Sequence, residues 1–132
     1  MAGLTHLTFD GTSRDLLING KPLLSILARN EDVRADMYQL SIGCQPLARE
    51  RLLAEAEPDL GTTHAAIYLC GMCGGYDGSP IGARVHVNDD AIRWTQLGHY
   101  DDVDDTLWPF KKVISFHFEP DAYRSALKQA TR

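Results

Sequence analysis

Residues 81–96 constrain the fold most. Ile81, Ala83, Val85 and Val87 alternate with Gly82, Arg84, His86 and Asn88. Alternation of period two places successive side chains on opposite faces of a strand. Asn88-Asp89-Asp90 is a polar turn, and Ala91 to Gln96 returns with Ile92 and Trp94 on the apolar side. Two such runs about a short turn predict an antiparallel hairpin. Val113 to Glu119 repeats the pattern, with Ile114, Phe116 and Phe118 inward and Ser115, His117 and Glu119 outward.

The remaining segments are read around this hairpin. Leu4 to Phe9 reads as a strand closed by Asp10-Gly11, and Asp15-Leu16-Leu17-Ile18 runs into the turn pair Asn19-Gly20. Pro22 to Ala28 starts a helix, because proline suits the first helical turn. Residues 30–45 are ambiguous: Glu31 to Met37 suits a helix and Tyr38 to Cys44 alternates like a strand. Residues 46–57 have the clearest helical composition, opened by Pro46 and stopped by Pro58. Ala65 to Cys70 is apolar on both faces, as a central strand is. From Pro120 a last helix carries the stripe Ala122, Tyr123, Ala126, Leu127 and Ala130.

These elements predict one α+β domain over residues 1–132. Its sheet is mainly antiparallel with about five strands, and two to four helices pack on one face. The length of 132 residues suits a single core. No run approaches the roughly 18 apolar residues of a membrane span, so no membrane partner is expected. Met1 to His6 lacks the features of a secretory signal, and three cysteines are too few for a disulfide framework. A cytoplasmic, reducing setting is the expectation.

Charge is uneven along the chain. The net charge is -5, and four aspartates (Asp101, Asp102, Asp104 and Asp105) lie within five residues. They account for most of the excess. An acidic chain is a poor match for nucleic acid, which needs a basic surface. The run is flanked by Tyr100, Trp108 and Phe110, and it is expected on a loop between the hairpin and a core strand. Started at Asp102, a calcium loop of the EF-hand type needs glycine sixth and glutamate twelfth. Leu107 and Val113 stand there, which excludes it. Two readings of the run remain open, a solvated surface loop and a partner-binding patch. In the second, the four aspartates steer a basic protein while Tyr100 and Trp108 anchor it.

Cys70-Gly71-Met72-Cys73 is a C-x-x-C. A redox dithiol needs an activating context such as a helix N-terminus, and the glycine-rich loop that follows supplies none. Zinc needs a second pair of ligands, for which Cys44, His64, His86, His99 and His117 offer no matching spacing. Packing of both cysteines as small apolar residues is the favoured reading, and no cofactor is expected, with zinc at Cys70 and Cys73 as the alternative. Glycines 71, 74, 75, 78 and 82 match no phosphate-binding pattern. Ser79 lies in Gly-Ser-Pro and forms no nucleophile elbow. Arg84, His86, His117 and Glu119 share an outward sheet face that either holds a general base or simply meets water.

The order Leu17-Ile18-Asn19-Gly20-Lys21-Pro22-Leu23, Tyr68-Leu69-Cys70-Gly71-Met72-Cys73-Gly74-Gly75 and Phe118-Glu119-Pro120-Asp121-Ala122-Tyr123 resembles a group of small uncharacterised bacterial proteins with a central CxxCGG segment. In that group a further cysteine often follows the glycine turn. Tyr76 to Gly82 has none, which weakens a metal role. In size, acidity and lack of a catalytic motif the chain also resembles the immunity proteins of bacterial toxin systems. That resemblance implies a non-enzymatic antitoxin that blocks a cognate basic, nuclease-like toxin through an acidic surface. It carries over no residue.

Overall fold

The two ends of strand β7 (Ile92–Asp101) organise the molecule, which a computed structural model describes over residues 4–101 and 103–131. Its first half returns from β6 (Ile81–Val87) in the expected hairpin, with Val85 opposite Trp94 and Val87 opposite Ile92. The Asn88 side chain closes that turn by accepting the N–H groups of Asp90 and Ala91 at 3.0 and 2.8 Å. Gln96 then takes a left-handed backbone, φ 53°, where the β6–β7 register shifts. Such a bulge re-aims the strand beyond it. β7 therefore runs on past Gln96.

β5 (Ala65–Cys70) is buried almost throughout and pairs with β6 on one side and β4 (Tyr38–Leu40) on the other. Two strands share the far edge of β7. β8 (Thr106–Pro109) pairs with its second half and β9 (Phe116–Phe118) with its first. This sheet thus has six strands, one more than the five expected. A second antiparallel sheet is formed by β1 (Leu7–Asp10), β2 (Asp15–Ile18) and β3 (Lys21–Pro22). Its Asn19-Gly20 turn has φ 51° and 86°, the doubly left-handed geometry those residues favour. Thr5 links the sheets by exchanging hydrogen bonds with His117 and Glu119. The fold class is α+β, with nine strands and three helices among the described residues.

The helices pack by their apolar stripes. α1 (Leu23–Asn30) buries Leu23 and Leu27, and the Asp15 carboxylate caps its start by accepting Leu24 N–H at 3.1 Å. α3 (Pro120–Ala130) buries Tyr123, Ala126, Leu127 and Ala130. Trp94 is the centre of the core. Phe118 meets its ring edge-on at 4.7 Å, and its indole N–H donates to the Tyr123 hydroxyl at 2.9 Å. Tyr123 in turn donates to the carbonyl of Leu52 in α2 (Ala48–Leu52).

Three sequence expectations fail locally. The 46–57 helix shrinks to Ala48–Leu52, because Ala54 turns left-handed, φ 57°. The bend brings Asp59 to the Ala66 N–H (2.9 Å) and the Tyr76 hydroxyl (2.7 Å), so tertiary bonds override propensity. In the ambiguous 30–45 stretch only a 3₁₀ turn at Ala35–Met37 and the three residues of β4 are regular. Ile114, expected inward, is 52% exposed. The Glu31 carboxylate accepts the N–H groups of Lys111, Lys112 and Val113 at 3.0, 2.7 and 2.7 Å, bending the chain so that β9 starts only at Phe116. Among the described residues no helix is long and apolar enough to cross a membrane.

Candidate functional site: an acidic hairpin tip

The acidic run is the tip of a second hairpin, β7–β8, and not a free loop. His99 pairs with Trp108, Tyr100 with Leu107 and Asp101 with Thr106. The hairpin exists because of Gly98. A Cβ there would stand 2.2 Å from the Trp108 carbonyl oxygen and 2.8 Å from Pro109 Cα. Only glycine lets β8 lie this close.

Side chains then stiffen the turn. Asp101 accepts the N–H groups of Val103 and Asp104 at 3.0 and 3.4 Å, and Thr106 donates to the Asp104 carbonyl at 2.9 Å. Asp105 sits left-handed at φ 49°, and its carboxylate accepts the Tyr100 hydroxyl. The tip leans on the loop before β5, where a Cβ on Gly61 would be 3.0 Å from the Asp105 carboxylate. The cleft between them is only about 200 Å³, below the roughly 300–1,000 Å³ of small-molecule sites.

The named residues divide between the two faces of the hairpin. Trp108 shares one face with His99 and Asp101, while Tyr100 and Leu107 lie on the other. Tyr100 packs against the small cluster of Leu60, Ala66 and Leu69. The aromatic anchors expected to act together therefore point apart. Trp108, 58% exposed, is the available one, and Phe110 re-enters the core under the His99 ring. Val103 is 88% exposed at the apex, a position that charge and aromatic content did not mark. Asp104 and Asp105 are exposed, and Asp102 lies outside the described residues. Among the described residues the ion pairs are Arg34–Asp36, Arg49–Glu50 and Arg51–Asp59, none of which uses an aspartate of the tip.

The other sequence candidates resolve differently. Register brings Arg84, His86, Arg93, Thr95 and His117 onto one face of β6, β7 and β9. Glu119 leaves that face and caps α3, accepting Asp121 and Ala122 N–H at 3.1 and 2.6 Å. Partial burial, then the charges of Arg93 and Arg84, lower the His86 pKa. On that face the His86 ring meets the Thr95 hydroxyl at 3.0 Å.

Asp15 and Tyr68 form a buried pair, with Asp15 also accepting Leu16 N–H at 2.8 Å. Burial raises both pKa values. With α1 capped by the same carboxylate, the pair serves the fold.

Cys70 ends β5 in the Cys-Gly-Met-Cys turn, but Cys73 is exposed rather than packed. N–H groups of Cys73 and Met72, then the Cys73 thiol, hold the Cys70 thiol below its ordinary value. The Gly75 N–H favours the Cys73 thiolate, but donation to Cys70, burial and the Asp77 charge outweigh it and leave that thiol raised. Compared with family models, curated proteins and solved structures, the chain matches none significantly, so its function is argued from this geometry.

Proposed function

We propose that this chain is a non-enzymatic binding protein, an immunity-type inhibitor that neutralises a basic, nuclease-like toxin domain through the β7–β8 hairpin tip. The observation that carries the reading is the exposure of Val103 on a turn held by its own aspartates and of Trp108 on the strand beside it. Exposed apolar groups at 88% and 58% on a rigid support are binding features more than solubility features. The carboxylates beside them add long-range attraction to a cationic surface, which raises association rates more than it lowers dissociation rates. Trp108 fills a pocket on the partner, with Asp101 and Asp104 toward its lysines or arginines. Tyr100 acts from behind by fixing Asp105.

The test measures association kinetics of this chain with basic nuclease toxin domains as probes. The triple variant Asp101→Asn, Asp104→Asn, Asp105→Asn is expected to associate at least tenfold more slowly and with flatter salt dependence. Trp108→Ala is expected to dissociate faster with an unchanged on-rate. Equal kinetics in both variants would overturn the assignment.

A further inference from the structure

A groove of about 670 Å³ lies between the outer face of α1 and the turn that joins β2 to β3. Its volume falls within the roughly 300–1,000 Å³ of small-molecule sites, which the cleft at the acidic tip does not reach. Two local structures build it. Asn19 and Gly20 reverse the chain in left-handed conformations and bring Lys21 back beside Ile18. Pro22 then leads into α1, where Ser25, Ile26 and Arg29 follow at helical spacing beside the buried stripe of Leu23 and Leu27.

The lining divides into an apolar part and a cationic part. Ile18 is buried and Ile26 half-buried, and with Pro22 they supply the apolar surface. Lys21 and Arg29 are exposed and belong to none of the ion pairs among the described residues. Arg29 stands about 10 Å along the helix axis from Pro22, so a cation lies toward each end of the groove. The carboxylates nearest in sequence are engaged elsewhere. Asp15 accepts Leu24 N–H and the Tyr68 hydroxyl, and Glu31 accepts the N–H groups of residues 111–113. The two amides at the edge are engaged as well: Asn19 accepts His6 N–H at 2.9 Å, and Asn30 donates to the Ile26 carbonyl at 2.8 Å. Among the described residues no acidic side chain lines the groove. In a chain of net charge -5, an apolar recess with two cations and no carboxylate reverses the prevailing sign.

We propose that this groove binds a free anionic amphiphile of the medium-chain fatty-acid class. The hydrocarbon body lies against Ile18, Pro22 and Ile26, and the carboxylate enters the fork of the Arg29 guanidinium, whose planar donors match it in pairs. Lys21 adds attraction from the other end. Burial of the chain contributes about 25 cal/mol per Å² of apolar surface, and the head group fixes its direction. A membrane surface is the poorer match, because the apolar residues are recessed and none of the large exposed hydrophobics lines the groove.

The experiment titrates the full chain with decanoate below its micelle concentration, by calorimetry and by amide chemical shifts. One decanoate per chain is expected, with the shifts centred on residues 18–30. Arg29→Gln is expected to bind about tenfold more weakly, and Lys21→Gln about threefold. Decanol, which keeps the chain and drops the charge, should bind wild type about tenfold more weakly than decanoate. Ser25→Trp fills the groove from an exposed position and should abolish binding while keeping the native circular dichroism. Trp108→Ala should leave decanoate binding unchanged, which separates this site from the hairpin. Absence of decanoate binding, decanol bound as tightly, or unchanged affinity in both Arg29→Gln and Ser25→Trp would each overturn the proposal. So would co-sedimentation with anionic phospholipid vesicles in place of binding to free decanoate.

Discussion

The two tryptophans of this chain belong to opposite ends of one strand pairing system, and their surroundings could hardly differ more. Trp94 sits in the first half of β7 with no exposed surface, ringed by Phe116, Phe118 and Tyr123. Trp108 stands on β8 opposite the second half of β7, 58% exposed and beside a charged turn. The first ties β7, β9 and α3 into the core; the second rests on a hairpin that a single glycine permits. Stability is therefore concentrated at one end of β7, leaving the other end free to carry surface chemistry without endangering the fold.

The strongest way to break this contrast is Trp94→Ala. Removing a fully buried indole and its bond to Tyr123 should cost about 3–5 kcal/mol in urea unfolding, and a loss below about 1 kcal/mol would deny Trp94 its central place. Gly98→Ala comes next. Its methyl group meets the Trp108 carbonyl, so a loss of about 1–3 kcal/mol is expected from overpacking. Hydrogen exchange should show opening confined to residues 106–110. Faster exchange spread evenly over the β6–β7 half would contradict the proposed division.

Glu31→Gln tests the clamp behind the second hairpin, with an expected loss of about 1–2 kcal/mol at neutral pH. Burial opposes ionisation of Glu31, but the Val113, Lys111 and Lys112 N–H groups outweigh it and lower its pKa. A carboxylate with a depressed folded pKa stabilises above its unfolded pKa and loses that contribution as pH falls through the folded value. The Gln variant should accordingly lose less stability on acidification than the parent. Identical acid profiles would remove Glu31 from the account. The smallest effect is expected from Trp108→Phe, within about 0.5 kcal/mol of the parent. It should nonetheless remove most acrylamide quenching of fluorescence, since Trp94 is shielded.

Legibility in the sequence followed the same division. The β6–β7 hairpin was readable because one face of each strand is buried, which enforces strict alternation at Ile81, Ala83, Val85, Ile92 and Trp94. β8 was not. Thr106-Leu107-Trp108-Pro109 has no buried face of its own, and its pairing depends on the absence of a side chain at Gly98. The Glu31 clamp joins residues eighty positions apart and leaves no local mark. Composition likewise overstated the helix after Pro46, because the Asp59 bonds that end it are tertiary. At the candidate site, the aspartates and Trp108 were visible as residue types. The separation of Tyr100 from Trp108 and the exposure of Val103 needed the register.

The serial pairing of β9 and β8 along β7 also bears on how the chain behaves in a crowded solution. Between them they cover β7 near both ends, so that long strand offers little unpaired backbone to a neighbour. The margin beyond is β8, four residues long, ending in proline and led by like charges. Short, proline-bearing, charged borders are poor templates for strand addition between molecules. The same hairpin that displays Trp108 thus guards the protein against growing into aggregates. Substitutions that neutralise its aspartates carry a colloidal cost separate from any loss of recognition.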